Sequence, residues 1–412
     1  MSGSFKRVVV TGFGGITSLG HDWPTIERAL RNNVSGIARM KEWDRYSDLN
    51  TRLGGPVPKF DLPPHYTRKV TRTMGRVALL ATRATEMSLE DAGLLNDPVV
   101  SSGKMGVAYG SCTGSTDAIR DFGSMIDTGD VGGINATTYL RMMPHTAAAN
   151  ISVYFGIKGR VIPACSACTS GSQSIGYAYE SIKFGRATLM VAGGAEELCA
   201  SEAAVFDTLY ATSLRNDTPS ETPSPFDRDR DGLVIGEGAC TLILEEYEHA
   251  KARGAKIYAE LIGFGSNSDG DHPTHPNTHT MEVAMRLALE DANLPSTEIG
   301  YVNAHATATE QGDVAETHAM NRLFGNKTPV SSVKGHLGHT LGACGAIESW
   351  FTIQMMRGGW FMPTLNLKNV DEKCGDLEYI MNTGRELQTE YVMNNNFAFG
   401  GVNTSLIFKR AA

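Results

Sequence analysis

The sequence predicts an α/β protein built from a duplicated, layered unit, and three observations predict it. The heptamer SLEDAGL beginning at Ser88 returns as ALEDANL beginning at Ala288. Each copy ends a stretch of helical periodicity and precedes an apolar strand opening onto a polar turn, KMGVAYG then SCTGST in the first case, IGYVNA then HATAT in the second. One heptamer can repeat by chance, but helix, connection, strand and turn repeating in one order indicate a duplicated supersecondary unit. The strands are also apolar on both faces and alternate with helices, the pattern of a largely parallel or mixed sheet covered by helices. At 412 residues, 41% hydrophobic and 20% charged, the chain is long enough for two such halves.

In chain order, Arg7 to Gly12 reads as a buried strand and Trp23 to Arg31 as a helix capped by Asp22. Arg76 to Leu94 has strong helical periodicity and Lys104 to Gly110 is the strand after it. In Val161 to Gly171, VIPACSACTSG, a β-type run stops and Cys168 stands at the turn before a helix. That helix carries Ile175, Tyr177, Ala178, Ile182 and Phe184 at helical spacing and ends near Gly185. The strand ACTLILEE and the charged helical segment YEHAKARGAK put the boundary between halves near Ala250 to Lys256, dividing the chain into 1–252 and 253–412. Met281 to Leu294 and Ile299 to Ala304 are the helix and strand of the second copy. VSSVKGHLGHTLGACGAIES reads as strand, glycine-rich turn and a helix beginning near Leu341, and NFAFGGVN as a flexible glycine turn bearing Phe397 and Phe399.

The net charge of -8 argues against nucleic acid as the main partner. Against that acidic background Arg68, Lys69, Arg72 and Arg76 are either a solvated helix face or a landing site for an acidic partner. Seven cysteines with no regular framework indicate a reducing compartment. Cys165 and Cys168 form a CxxC, but no second pair completes a zinc site. Three histidines in DHPTHPNTH, from Asp271 to His279, invite a metal reading that the prolines and the lack of a completing acid or cysteine oppose, so no metal is expected. The opening MSGSFKRVVVTGFGG is too short in its apolar run for a signal peptide or a membrane span, and a cytoplasmic protein is expected.

Three residues then stand out. Cys168, at a helix N-terminus, lies beside free N–H groups and the positive end of the helix dipole, which favour thiolate over thiol. His305 follows the strand IGYVNA, where α/β proteins place functional groups, and His339 sits in a glycine-rich turn after another strand. A plain buried cysteine and two structural histidines are the alternative. A cysteine and two histidines on three strand-to-turn junctions of a duplicated fold suit acyl transfer to sulfur.

At this point the residues resemble the β-ketoacyl-acyl carrier protein synthases, most closely the type II elongating condensing enzymes of the thiolase superfamily. The resemblance runs from VVVTGFGGITSLG to NFAFGGVNTSLIFK and includes SACTSG, VAGGAEE, FDRDRDGLVIGEGA, YVNAHATATEQGD and VSSVKGHLGHTLGACGAIES in family order. It implies a thiolase-like duplicated αβαβα layered fold and a decarboxylative Claisen condensation of a Cys-bound acyl chain with malonyl-acyl carrier protein. Position by position, it implies that Cys168 is the nucleophile. It likewise implies that His305 and His339 bind the thioester oxygen, and that Lys334 and Glu348 are supporting charges. Thr307 and Thr309 match the threonines that hold the phosphopantetheine arm, while Thr113, Phe206 and Thr274 fall at substrate-binding positions. Phe399 matches a gating aromatic, its N–H forming an oxyanion hole with that of Cys168, and Arg68 and Lys69 match the carrier-protein patch. The resemblance implies no cofactor beyond the carrier's phosphopantetheine, and a homodimer, with a heterodimer containing a related subunit as the alternative.

A second position of His339 rather than cysteine favours the decarboxylating branch over a coenzyme A thiolase. A non-catalytic chain-length-factor-like subunit is the competing reading, but such subunits usually lack the nucleophile. Departures from the fatty-acid enzymes bear on substrate: Ala306 and Ala398 replace usual glycines, Asn396 a usual serine and Tyr210 a frequent arginine, and Thr113 stands at an acyl-pocket position often apolar or glycine. Such changes shift selectivity by about 1–3 kcal/mol, enough to change the preferred chain and not the reaction. They leave open fatty acid elongation or a specialised polyene, aryl-polyene or polyketide pathway.

Overall fold

In the computed structural model, which describes residues 5–58 and 60–411, ten principal strands and six principal helices repeat one arrangement twice. The first four residues of the opening segment lie outside the described residues. The first half contains β1 (Val8–Thr17), α1 (Arg76–Asp91), β2 (Met105–Gly110), α2 (Thr146–Phe155), β3 (Val161–Ala164), α3 (Ser170–Lys183), β4 (Leu189–Glu196) and β5 (Gly238–Glu246). The second contains β6 (Ala259–Ser268), α4 (Thr278–Ala292), β7 (Ile299–Asn303), α5 (Glu310–Phe324), β8 (Pro329–Ser331), α6 (Cys344–Gly358), β9 (Tyr391–Phe397) and β10 (Val402–Arg410). Strand order is β1-β5-β4-β2-β3 in one half and β6-β10-β9-β7-β8 in the other, with the short strand Glu378–Tyr379 beyond β8. In each half the last strand is antiparallel to both neighbours and the outer three are parallel.

The sequence leads one to expect a sheet in each half; instead the halves are hydrogen-bonded into one eleven-stranded sheet by a short antiparallel contact of Val8, Val9 and Val10 with Leu261, Glu260 and Ala259. The two wings enclose α3 and α6, which pack on each other and on strands of both halves. One continuous core results, in which Ile175, Ile182, Ile347 and Phe351 meet Val10, Leu242, Leu244, Leu406 and Phe408. Outside, α1 and α2 cover the first wing and α4 and α5 the second, giving helix, sheet, helix, sheet, helix layers.

β1 runs five residues past its expected end at Gly12, through Gly14 and Gly15. Gly12 and Gly14 are there for close packing: a Cβ on Gly14 would sit 2.0 Å from the Ala84 carbonyl oxygen and one on Gly12 2.4 Å from that of Ser88. In the second half Gly265 and Gly263 meet the carbonyls of Ala284 and Ala288 in the same way, at 2.1 and 2.3 Å. The repeated heptamer has a matching cause. Asp91 accepts the Phe13 N–H at 2.9 Å and Asp291 the Phe264 N–H at 3.1 Å, each helix C-terminus supplying a carboxylate to the strand beneath it.

The central helices approach as closely. A Cβ on Gly171 of α3 would lie 2.9 Å from the Gly342 oxygen, and one on Gly345 of α6 2.6 Å from the Ser172 nitrogen. Only glycine permits that distance, which brings the segments preceding the two helices together. Those segments carry Cys168 and His339.

Candidate active site

Cys168 stands two residues before α3, after Ala167, whose φ of +51° is uncommon for a residue with a Cβ. Ala308 and Leu341, near the two histidines, also have positive φ. Such strain collects where a fold over-determines a functional geometry. The turns deliver three side chains to one buried point. Cys168 Sγ is 2.9 Å from His339 Nε2, the rings of His305 and His339 meet edge to face at 5.1 Å, and one ligand-type atom from each lies within 4.8 Å of the others. A short helix, Lys334–Leu337, intervenes between β8 and His339, where the sequence indicated a plain glycine turn.

Behind the histidines lies a dry charged network. Lys334 Nζ is 2.5 Å from Glu348 Oε1 and 3.3 Å from His305 Nδ1, and both ends of the ion pair are about 1% exposed. Burial acts to lower the Lys334 pKa, but Glu348, Cys344 and Glu316 together, Glu348 foremost, more than offset it and the ammonium is held above its ordinary value. Asn396 donates to Glu348 Oε2 at 2.6 Å and its amide nitrogen is 3.4 Å from His305 Nδ1. Cys344 donates to the Cys168 carbonyl at 3.1 Å.

Electrostatics corrects one expectation. Burial pushes the Cys168 thiol up to about 11, although the N–H groups of Phe399 and Cys168 and the Lys334 charge pull it back down. The helix terminus acts in the direction the sequence indicates, but full desolvation of the sulfur outweighs it. The resting group is therefore a thiol. Both histidines are held well below their ordinary value, first by burial and then by Lys334, so both imidazoles are neutral at physiological pH.

The site opens into a cavity of about 500 Å³ lined in part by Phe206, Tyr210, Thr274, Thr307, Thr309 and Phe399. The Thr307 and Thr309 hydroxyls are 3.0 Å apart, and the Phe206 and Phe399 rings meet edge to face at 5.3 Å. Thr113, expected at the acyl pocket, is not part of this lining; its hydroxyl donates to Glu202, a buried acid, at 3.1 Å. Arg68 and Lys69 are exposed on the helix Arg68–Thr71 and have no ion pair among the described residues.

Sequence reading missed Glu316 of α5. Its carboxylate accepts the N–H groups of His305 and Ala306 at 2.8 and 2.7 Å, fixing the turn that carries the histidine, and burial raises its pKa to about 8. An acid in the same helical stripe as Ala315, Ala319 and Met320 was the available signal.

Cys168, His305 and His339 could geometrically hold a soft divalent ion, though the Lys334 cation behind His305 opposes one. The histidines of Asp271–His279 form no comparable group among the described residues; the His272 and His275 rings lie tilted to each other with centroids 4.1 Å apart, and His272 Nδ1 accepts the Thr274 N–H. Cys165 is free and donates to the Cys112 carbonyl.

Fold and site together define the class: a layered, duplicated acyltransferase with a thiol and two neutral imidazoles around one cavity. Residues 5–250 match the model of the β-ketoacyl synthase N-terminal domain and residues 258–368 that of the C-terminal domain, so the chain belongs to the β-ketoacyl synthase family of condensing enzymes. It is 38% identical to the 3-oxoacyl-[acyl-carrier-protein] synthase 2 of Vibrio harveyi, over 99% of this chain and 100% of that one. A crystal structure of a β-ketoacyl synthase from Burkholderia phymatum STM815 superposes with a TM-score of 0.98 at 57% identity, covering 99% of this chain and 100% of the other. The ishigamide ketosynthase/chain length factor superposes with a TM-score of 0.90 at 30% identity, again covering 99% and 100%. The fold is thus the thiolase-like one.

Proposed function

We propose that this enzyme takes an acyl chain from a carrier-protein thioester onto Cys168 and condenses it with a malonyl-carrier thioester, releasing carbon dioxide and a β-ketoacyl-carrier. The observation that carries the reading is the 2.9 Å contact of Cys168 Sγ with His339 Nε2, with His305 facing the same buried cavity.

In the first step the Sγ–C bond forms as the carrier's C–S bond breaks, and the thiol proton passes to the departing carrier sulfur. It travels by way of solvent, because the His339 Nε2 beside the sulfur keeps its own proton for the second step. The developing oxyanion is met by the N–H groups of Cys168 and Phe399, the two that already face the sulfur. In the second step the malonyl carboxylate leaves as carbon dioxide and its electron pair forms an enolate, whose oxygen accepts N–H bonds from His305 and His339. The enolate carbon attacks the Cys168 thioester, and the sulfur departs as the anion and takes a proton from solvent, which restores the resting thiol. Neutral donors placed in a dry site stabilise the enolate without reorganising water, and losing one typically costs about a hundredfold or more in rate.

Thr307 and Thr309, on the cavity wall, hold the phosphopantetheine arm, with Phe206 and Thr274 bounding the substrate and Phe399 gating entry. Arg68 and Lys69 offer the free positive charge that an acidic carrier protein requires. The acyl groups ride on the carrier's phosphopantetheine, so the reading calls for no other cofactor. Halves 1–252 and 253–412 are taken as the two repeats, which the family matches at 5–250 and 258–368 support.

A dimer is supported by β3, an edge strand whose Val161 is 41% exposed, and by α2 packed on it, whose Val153 is 81% exposed. An exposed apolar edge is a template for pairing. A second identical chain is the first choice, and a related subunit the second, by analogy with the ketosynthase/chain length factor relative. No helix among the described residues is long and apolar enough to cross a membrane, and a cytoplasmic site of action fits the free cysteines.

Intact-mass measurement of the enzyme with saturated, unsaturated and aromatic acyl-carrier substrates tests the reading and ranks the fatty acid and specialised pathways. Wild type gains one acyl group; Cys168→Ala gains none and makes no β-ketoacyl product. Product formed by Cys168→Ala at the wild-type rate would sink the assignment.

A further inference from the structure

His305 can do the work assigned to it only if its pocket-facing nitrogen carries the proton. Its Nδ1 faces two nitrogen donors, Lys334 Nζ at 3.3 Å and Asn396 Nδ2 at 3.4 Å. An ammonium offers only protons, so its contact leaves Nδ1 as an acceptor. The orientation of the Asn396 amide is equally forced. Its nitrogen lies 2.6 Å from Glu348 Oε2, where an oxygen would oppose a carboxylate, and its oxygen accepts from Asn394 Nδ2 at 3.1 Å. Asn394 is oriented in turn by Asn303, whose amide donates to Asn394 Oδ1 at 2.7 Å. A one-way chain of amides thus runs from Asn303 on β7 through Asn394 and Asn396 on β9 to the buried Glu348 on α6.

We propose that Asn396 is a positioning residue that, together with Lys334, locks His305 as its neutral Nε2–H tautomer and aims that proton at the reacting thioester oxygen. The inference rests on the condensing reading above and adds a residue to it. Asn396 does two jobs through one amide group. It supplies a second donor to Nδ1, and it holds the Glu348 oxygen that Lys334 does not, so that the carboxylate cannot swing toward the histidine and capture its proton. The titratable and charged groups around His305 are Lys334 on the helix Lys334–Leu337, Glu348 and Cys344 on α6, His339 and Cys168 in the turns, and Glu316, which binds the His305 backbone N–H. Burial and Lys334 hold the ring neutral, and among these groups Glu348 is the carboxylate able to oppose them.

The lock makes the two half-reactions separable. Acylation of Cys168 uses the sulfur, His339 and the two oxyanion N–H groups, and does not need the His305 proton. Decarboxylation of the malonyl thioester does. Asn396→Ser shortens the side chain and removes both contacts. Asn396→Asp keeps the shape and replaces the donor with a carboxyl that can accept the Nδ1 proton.

Three measurements on the full-length enzyme decide the matter: the Cys168 acyl adduct by intact mass, the rate of carbon dioxide release from malonyl-carrier against pH, and nitrogen-15 spectra of selectively labelled histidine, with His305→Ala identifying the signal. In wild type the His305 Nδ1 signal is that of an unprotonated nitrogen. Asn396→Ser acylates within about threefold of wild type and decarboxylates about tenfold more slowly, the size of one hydrogen bond. Asn396→Asp moves the acid limb of the decarboxylation profile to higher pH, by about tenfold or more in proton concentration, as a new charged neighbour does. A protonated Nδ1 in wild type overturns the inference even if neither variant folds. Folded variants with wild-type decarboxylation rates and pH profiles overturn it as well. Failure of wild type itself to form an acyl adduct would strike the condensing reading, and the histidine spectrum would still report the tautomer.

Discussion

A sulfur nucleophile that rests as a thiol has to be activated by its substrate and neighbours, and Cys168 is of that kind. Its burial raises the pKa to about 11 against an ordinary 9.0, while the N–H groups of Phe399 and Cys168 favour the anion. Those same N–H groups stabilise whatever negative charge develops on an oxygen taking the sulfur's place, so the site is built for the charge of the reaction and not for a standing thiolate. Alkylation of resting Cys168 by iodoacetamide, followed by mass spectrometry, is expected to be slow at neutral pH and to keep rising beyond about pH 9, because only the anion reacts. A rate that levels off below neutrality would show a preformed thiolate pair instead.

At the scale of elements, the glycine contacts bind each first strand to the helix above it. Gly14→Ala and Gly265→Ala each drive a methyl into a backbone carbonyl that cannot rotate away. Each is expected to cost at least about 1–3 kcal/mol, as overpacking does, and by near equal amounts, because the contacts are equivalent in the two halves. Urea unfolding of the pair checks both points, and a neutral Gly265→Ala beside a damaging Gly14→Ala would mean that the halves do not share this packing. The repeated helix, strand and turn, the cap of Asp22 and the placement of Cys168, His305, His339, Lys334 and Glu348 were all legible in the sequence, because local periodicity and long motifs carry them. The reach of β1 past Gly12 was not, since a glycine written for close approach looks the same as one written for a turn. Neither was the Cys168 titration, because burial is set by α6 and the second half, far away in the chain. Thr113 lies on Glu202 and not on the cavity lining for a similar reason: which way a turn faces is decided by its neighbours in space.

For the whole molecule, the buried acids and histidines set opposing slopes of stability with pH. Glu196, Glu316 and Asp313 are raised by burial to about 7, 8 and 6, and Glu202 is raised well above its ordinary value. They hold protons in the folded state that the unfolded chain has released, so their contribution is full below the ordinary carboxyl value of 4.5 or 3.8 and is lost as pH rises through the folded values. His305, His339 and His336 are displaced the other way, below 6.5, and their burial costs stability only where the unfolded chain would protonate them. From the carboxyl range up to about pH 6.5 the two sets offset each other; above it the histidines are neutral in both states and drop out. Stability is therefore expected to fall from about pH 6.5 to about pH 8.5, by at most about 1.4 kcal/mol per pH unit for each acid still protonated in the folded state. Denaturant midpoints across that range test the slope. Glu316→Gln provides the sharper version. It removes one of the titrating groups, and although it lowers stability throughout by disturbing the His305 and Ala306 N–H contacts, its curve should be flatter than that of wild type. A variant curve parallel to wild type would mean that Glu316 is ionised in the folded enzyme already at neutral pH, with the two N–H groups stabilising its anion more than burial opposes it.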